Sequence, residues 1–413
     1  MEKSQKSVIT RILMTFAIVF TITLAGGISA KAALSAPTGL AQSGASKDSV
    51  SITYNEVAGA EEYAIQIANN ASFTNAVTGT TTSRSPYIDS ADGLTIAPGS
   101  SYWVRVAAID SNGAAGAWSS ALEVVTKPGS APTNLVHTGS TTNSITLQWS
   151  AVEGANCYEV AYCESGSSDF VNVETTTNSV TLSGLSKNAE YYVDVTAARK
   201  SSSGAVAENT TGTYIGSVPV TPSKASVKLG YHSGKSVRLD WNEICCEDGY
   251  EVQLYTAYKN KDSKIKTYKK ETYSNYAYIS NSKLKKSNFY KLRVRTYCKD
   301  SSGKKYYSKW SSFVYTCDQP DVKRMESTAN GLHTTWEKVN GTDRYVVYVS
   351  TKQKSGYKKS GTTKNNSITV TKYGKSKLQS GKRYYVYVVP QVKAGGKWYS
   401  CKASWCWSQI YSR

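Results

Sequence analysis

Histidine is scarce: His137, His232 and His333 are the only three in 413 residues. None lies beside a nucleophile or at a metal-ligand spacing, so histidine acid–base, nucleophilic and zinc chemistry have no carrier. There is no Gly-rich phosphate loop, nucleophile elbow or Asp-rich calcium loop. The paired carboxylates Glu61–Glu62 and Glu247–Asp248 fall in turns, where acids are ordinarily solvated. Proline is sparse at 9, and 30 glycines are too few for a collagen-like or low-complexity chain. After residue 33 no apolar run is long enough to span a bilayer. These absences point away from an enzyme, and neither cofactor nor metal is expected.

What is present begins with an export signal. Lys3, Lys6 and Arg11 make a basic start, Ile12 to Gly27 an apolar core, and Ala30-Lys31-Ala32 a small-x-small cleavage pattern. Residues 1–32 are therefore expected to be a signal peptide cut after Ala32, leaving a secreted or wall-associated chain without a membrane span. The compact signal points to a bacterial source. No hydrophobic tail or sorting motif marks an anchor at the C-terminus.

The remainder repeats four times at about 95 residues, with modules expected at 33–127, 128–221, 222–317 and 318–413. Ala36-Pro37-Thr38-Gly39-Leu40 matches Ala131-Pro132-Thr133-Asn134-Leu135. An alternating strand ending in an aromatic follows, at Val50 to Tyr54, Ile145 to Trp149, Val237 to Trp241 and Leu332 to Trp336. Period-two alternation buries one face and wets the other. Next come strands led by Tyr63, Tyr158, Tyr250 and Tyr345. An aliphatic residue then precedes a tyrosine by six positions: Ile96 and Tyr102, Leu185 and Tyr191, Leu284 and Tyr290, Leu378 and Tyr384. Each unit closes with a Gly-containing hairpin turn, followed in units one, three and four by Trp118-Ser119, Trp310-Ser311 and Trp407-Ser408.

This ordered set resembles the fibronectin type III family over nearly the whole chain after the signal. The resemblance implies an all-β chain of four seven-strand, two-sheet sandwiches in an extended array. Extra residues around Cys401 to Cys406 depart from the pattern and leave the last strand of unit four open. The Arg-Gly-Asp tripeptide used by integrin-binding members is absent.

Charge divides the repeats. The first two modules carry −4 and −5, whereas the third and fourth carry +12 and +13, with 20 and 18 Lys+Arg against 8 and 5 Asp+Glu. Tyrosine follows the same division, 22 of 31 lying after residue 221. In unit three Lys264, Lys266, Lys269, Lys270, Lys285 and Lys286 are interleaved with tyrosines, and Lys291, Arg293 and Arg295 alternate with core positions, so they share an outer face. Such a ladder suits successive charges on an anionic polysaccharide or wall polymer. The competing reading is that lysine solubilises a tyrosine-rich surface, with Glu251 pairing Arg293 or Arg295. Nucleic acid is not expected as a physiological partner of an exported chain.

The eight cysteines fall in even numbers per repeat, which in an exported chain suggests disulfides. Cys157 and Cys163 lie on one strand roughly 20 Å apart and should not pair with each other. The resemblance implies that Cys245 and Cys246 lie at the same end of the third sandwich as Cys298, so one of them is its expected partner.

The reading is a non-catalytic multi-module surface protein, its first half a spacer and its basic half holding an anionic polymer. A pure spacer or protein-interaction module, and an adhesin stacking neutral sugars on Trp398, Tyr399, Trp405 and Trp407, are the alternatives.

Overall fold

A computed structural model describes residues 33–90, 94–244, 247–257 and 263–413. The expected signal peptide, with Ala30 and Ala32, lies outside the described residues, as do Cys245 and Cys246. All regular structure among the described residues is β-strand, and no helix is long and apolar enough to cross a membrane.

Apart from a two-stranded ribbon of Lys372–Tyr373 and Ser376–Lys377, the sheets come in pairs. In the first pair, Ala41–Ala45, Val50–Thr53 and Tyr87–Ile88 make three strands. The second sheet runs Val77–Thr81, Glu62–Ala68, Ser101–Ile109, and both Ala115–Trp118 and Leu122–Val125 pair with the last of these. The same order, three strands against five, returns within residues 133–219, 227–316 and 322–410. Alternation builds each strand: in Tyr290–Lys299, Tyr290, Leu292 and Val294 are fully buried while Arg293 and Arg295 face outward.

One aromatic contact recurs in every core. Tyr54 meets Tyr63 edge-on with ring centroids 4.9 Å apart; Trp149–Tyr158, Trp241–Tyr250 and Trp336–Tyr345 repeat it at 5.3, 5.1 and 5.2 Å. The buried hydroxyl of the second ring is used as well. Tyr63, Tyr158 and Tyr345 accept the backbone N–H of Val57, Val152 and Val339 at 2.9, 2.9 and 2.8 Å. A second tyrosine closes the opposite side. Tyr290 donates to the Lys283 carbonyl at 2.7 Å and accepts the Lys285 N–H at 2.7 Å; Tyr102 does the same with Thr95 and Ala97.

In the first, third and fourth sandwiches the last strand is broken in two around a serine. Ser119 Oγ takes the Val106 N–H at 3.0 Å, while the Ser119 N–H donates to Val106 O at 2.8 Å. Without it, a buried N–H at the break would be orphaned. Ser311 serves Val294 identically, and in the fourth sandwich Ser404 serves Val388. This corrects the alignment of Trp407-Ser408 with Trp118-Ser119. Trp407 and Ser408 belong to the following strand, paired with Val386 and Tyr385.

The chain divides into two compact units. The first runs to Val218, apart from 140–143 and 184–190. Within it, Arg199 reaches from the second sandwich to Ser101 Oγ of the first at 3.1 Å, and Ser202 N–H donates to Glu123 at 2.8 Å.

The second unit holds Pro219–Arg413 with the two short segments. Here the third and fourth sandwiches share a core. Phe289, fully buried, joins Ala257 and Cys317 in one cluster with Val322, Trp336 and Val339. Its N–H donates to Asn340 O at 2.9 Å, and the Asn340 N–H returns to Ser287 O at 2.7 Å. Tyr315 packs on Tyr399 at 4.5 Å. A Cys317–Cys401 disulfide, with Cα atoms 5.6 Å apart, closes the joint. Even counts per repeat concealed a bond that runs from one repeat to the next. Cys157 and Cys163 lie on Cys157–Glu164 as buried, unpaired thiols. Cys298 is buried near the end of its strand, its expected partners being among the residues not described.

Non-reducing peptide mapping is expected to recover a linked Cys317–Cys401 pair. Replacing Cys401 with serine should lower the unfolding free energy of the second unit by up to about 4 kcal/mol, the loop-closure scale for a crosslink of this span. An unchanged urea midpoint would contradict the joint.

Candidate functional site

The outer face of the five-stranded sheet in the third sandwich holds the alternating cations. Register sets Glu251 opposite Arg295, Gln253 opposite Arg293 and Tyr255 opposite Lys291. Arg295 binds Glu251 through Nη2 at 2.8 Å and Nε at 3.0 Å. Its guanidinium lies 4.0 Å from the Tyr307 ring and 4.6 Å from Trp310. Arg293 donates to Gln253 Oε1 at 2.9 Å and sits between Trp310 at 4.7 Å and Phe313 at 5.0 Å. Lys291 is only 8% exposed, its ammonium 4.5 Å over Phe313. The result is one stack of alternating rings and cations, held by the quadrupole of each aromatic face. Lys291, Arg293 and Arg295 are thus engaged inside the protein, and these side chains build the face rather than offer free charge.

The other lysines divide by acidic partner. Glu251 also takes Lys269 at 3.4 Å; Glu271 takes Lys299 at 3.2 Å and Lys305 at 2.8 Å; Asp321 takes Lys286 at 2.5 Å. The two lysines beside Glu271 hold its carboxyl below the usual range. Lys264, Lys266, Lys270 and Lys285 are exposed and have no carboxylate at ion-pair distance among the described residues. Lys264, Lys266 and Lys270 share the edge strand Lys264–Lys270 with Lys269.

Edge strands often carry lysine to block sheet-to-sheet association. The same edge in the other repeats tests that explanation. Val77–Thr81 and Val171–Thr175 of the acidic pair have no lysine, whereas Lys358–Thr363 of the fourth sandwich begins with two exposed lysines. The lysine edge follows the charge division and not the fold position.

The sugar-stacking candidates separate. Arg344 covers Trp398 at 3.5 Å, and Tyr399 is half-buried against Tyr315. Trp405, 72% exposed, keeps an open ring.

Residues 130–213 match the family model described as Fibronectin type III domain. The other sandwiches repeat its strand order. Among solved structures, the chain is similar to the FN1-FN3 domains of chicken CNTN1, at 17% identity over 68% of this chain and 97% of that one, with a TM-score of 0.28. It is similar also to a two-domain fibronectin type III segment of chicken tenascin, at 15% identity over 45% of this chain and 97% of that one, with a TM-score of 0.26. The likeness to the family lies in that one match and in the strand order. No curated protein matches the chain.

Glu247 departs from the solvated turn expected for it. It is 6% exposed; Oε1 accepts the Ser274 N–H at 3.2 Å, and Oε2 has no partner among the described residues. Burial pushes its carboxyl up to about 7 from 4.5, against the opposing pull of the Ser274 N–H. Below pH 4.5 the group is neutral in both states, folded and unfolded. As pH rises from 4.5 to about 7, the unfolded chain releases a proton that the folded chain still holds. Stability contributed by the neutral group is therefore lost across that window and levels off above it. Glu247→Gln is expected to flatten this part of a stability–pH curve measured by urea denaturation. A curve identical to that of the unmodified protein would contradict the assignment.

Proposed function

We propose that the chain is an exported, non-catalytic scaffold whose basic half holds an anionic polymer of a cell surface or wall. Export is supported by the basic, apolar and Ala-x-Ala order of the first 32 residues. The first two repeats, mildly acidic, act as the spacer.

The observation that carries polymer binding is the row of exposed lysines, Lys264, Lys266 and Lys270, on the edge of the third sandwich, with no carboxylate at ion-pair distance among the described residues and no counterpart on the matching edges of the acidic pair. Free surface charges act at a distance and sum over a row, so a flexible polyanion gains from each one it meets. The stacked cations at Lys291, Arg293 and Arg295 position the sheet beneath this edge, and Lys285 extends the open charge beyond it.

The test uses the full chain and a Lys264→Gln/Lys266→Gln/Lys270→Gln variant, titrated with purified wall teichoic acid and with heparin across a salt series. The unmodified chain should bind at low salt and weaken steeply as salt rises. The variant should lose roughly two to three from the slope of log affinity against log salt, about one per lost contact. Equal slopes, or no binding by the unmodified chain, would overturn the proposal.

A further inference from the structure

The three-stranded sheet of the third sandwich turns a cluster of tyrosines to solvent. Its strands are Val227–Ser233, Ser236–Trp241 and Tyr276–Ser280. In the last, Ala277 and Ile279 are buried while Tyr276 and Tyr278 stand outside at 42% and 54% exposure. Tyr231, 40% exposed, comes from the first strand. Register sets Arg238 between Tyr231 and Tyr278, and Asp240 opposite Tyr276.

The rings make one surface. Tyr276 and Tyr278 are 5.6 Å apart between centroids, and Tyr231 and Tyr278 are 6.1 Å apart. Arg238 lies among them, 4.8 Å from the Tyr276 ring, donating to Asp240 at 2.7 Å and to the Tyr278 hydroxyl at 3.1 Å. The matching positions of the second and fourth sandwiches hold Thr146 opposite Thr181 and His333 opposite Thr369. The fold therefore does not require the rings.

This face is continuous with the lysine edge. Tyr268, on Lys264–Lys270, donates to the Ser280 carbonyl at 3.3 Å and accepts from Asn281 Nδ2 at 2.6 Å. Lys266 lies 5.2 Å over the Tyr268 ring. Open charge and open aromatic surface thus meet along one side of a single sandwich.

We infer that the anionic polymer is a polysaccharide of acidic pyranoses, its sugar rings seated on Tyr276, Tyr278 and Tyr231 while its carboxylate or sulfate groups meet Lys264, Lys266 and Lys270. A pyranose presents a face of C–H bonds, each slightly positive, which suits the negative face of an aromatic ring. Its hydroxyls suit the phenols and the Arg238–Asp240 pair, which together offer donors and acceptors. A polymer of phosphates without rings would use the lysines alone. The exposed large side chains of the patch are all phenols, and the lysines beside them have no carboxylate at ion-pair distance among the described residues. Both features favour a saccharide over an apolar protein surface. The inference rests on the polyanion reading above.

The experiment compares heparin with inorganic polyphosphate as ligands of the full chain. The variants are Tyr276→Ala/Tyr278→Ala, Tyr276→Phe/Tyr278→Phe and the triple lysine variant. The alanine pair is expected to weaken heparin binding about tenfold or more, about 1.4 kcal/mol, while leaving polyphosphate binding unchanged. The phenylalanine pair, which keeps the rings, should retain most of the heparin affinity and shows whether the strand still folds. The lysine variant should weaken both ligands. If the alanine pair binds heparin as the unmodified chain does, the saccharide assignment fails and the polyanion reading stands, leaving the tyrosine face to a protein partner. Equal loss for both ligands also overturns it, because the rings then act only through the fold. If the unmodified chain binds neither ligand, both readings fall.

Discussion

Each sandwich depends on one contact, a tryptophan or tyrosine of the second strand meeting the leading tyrosine of the third edge-on. The pair fills the centre of a core too small to tolerate a void. In the first, second and fourth sandwiches the hydroxyl of the same tyrosine caps a buried backbone N–H two positions before the glycine of the connecting turn, at Val57, Val152 and Val339. One side chain therefore supplies packing and polar satisfaction together, and it fixes where the strands of one sheet lie against those of the other. The acidic and basic repeats share this core, so surface composition was free to diverge around it.

That divergence produces two populations of positive charge in the third sandwich. One is built in: Arg295, Arg293 and Lys291 alternate with Tyr307, Trp310 and Phe313, and Glu251 neutralises the end of the stack. A charge withdrawn from solvent in this way stiffens the sheet and is costly to redirect to a ligand, since its ring and carboxylate partners would have to be given up. The other population, Lys264, Lys266 and Lys270, stands on the edge strand with no carboxylate at ion-pair distance among the described residues. The shared core around Phe289 and the Cys317–Cys401 bond hold the third and fourth sandwiches as one unit, so their edges present charge from a common frame.

Much of this was legible in the sequence. Alternation and the recurring aromatics identify the strands, and the Ile96-to-Tyr102 interval marks a hydroxyl that does bond to Thr95 O. Register, which sequence shows only indirectly, decided the rest. The outward alternation of Lys291, Arg293 and Arg295 was readable, but the rings that cover them come from Trp310 and Phe313 beyond the next turn. The dipeptide Trp-Ser does not mark Ser404, whereas the spacing from the turn does. Ser311 lies eight residues after Gly303, and Ser404 eight after Gly396. The Cys317–Cys401 bond escaped because parity within repeats says nothing about a pair shared between them. Tyr276 and Tyr278 carried their own signal, alternating with Ala277 and Ile279, yet only the cross-strand neighbours Arg238 and Tyr231 turn them into a surface.

The central claim is that free and engaged cations are different residues. Lysine acylation followed by mass spectrometry, with and without heparin, reads this directly on the intact protein. Lys264, Lys266 and Lys270 should react readily alone and be protected by the polymer, while Lys291 should stay unreactive in both conditions. Rapid acylation of Lys291, or edge lysines that heparin leaves unprotected while it binds, would contradict the account.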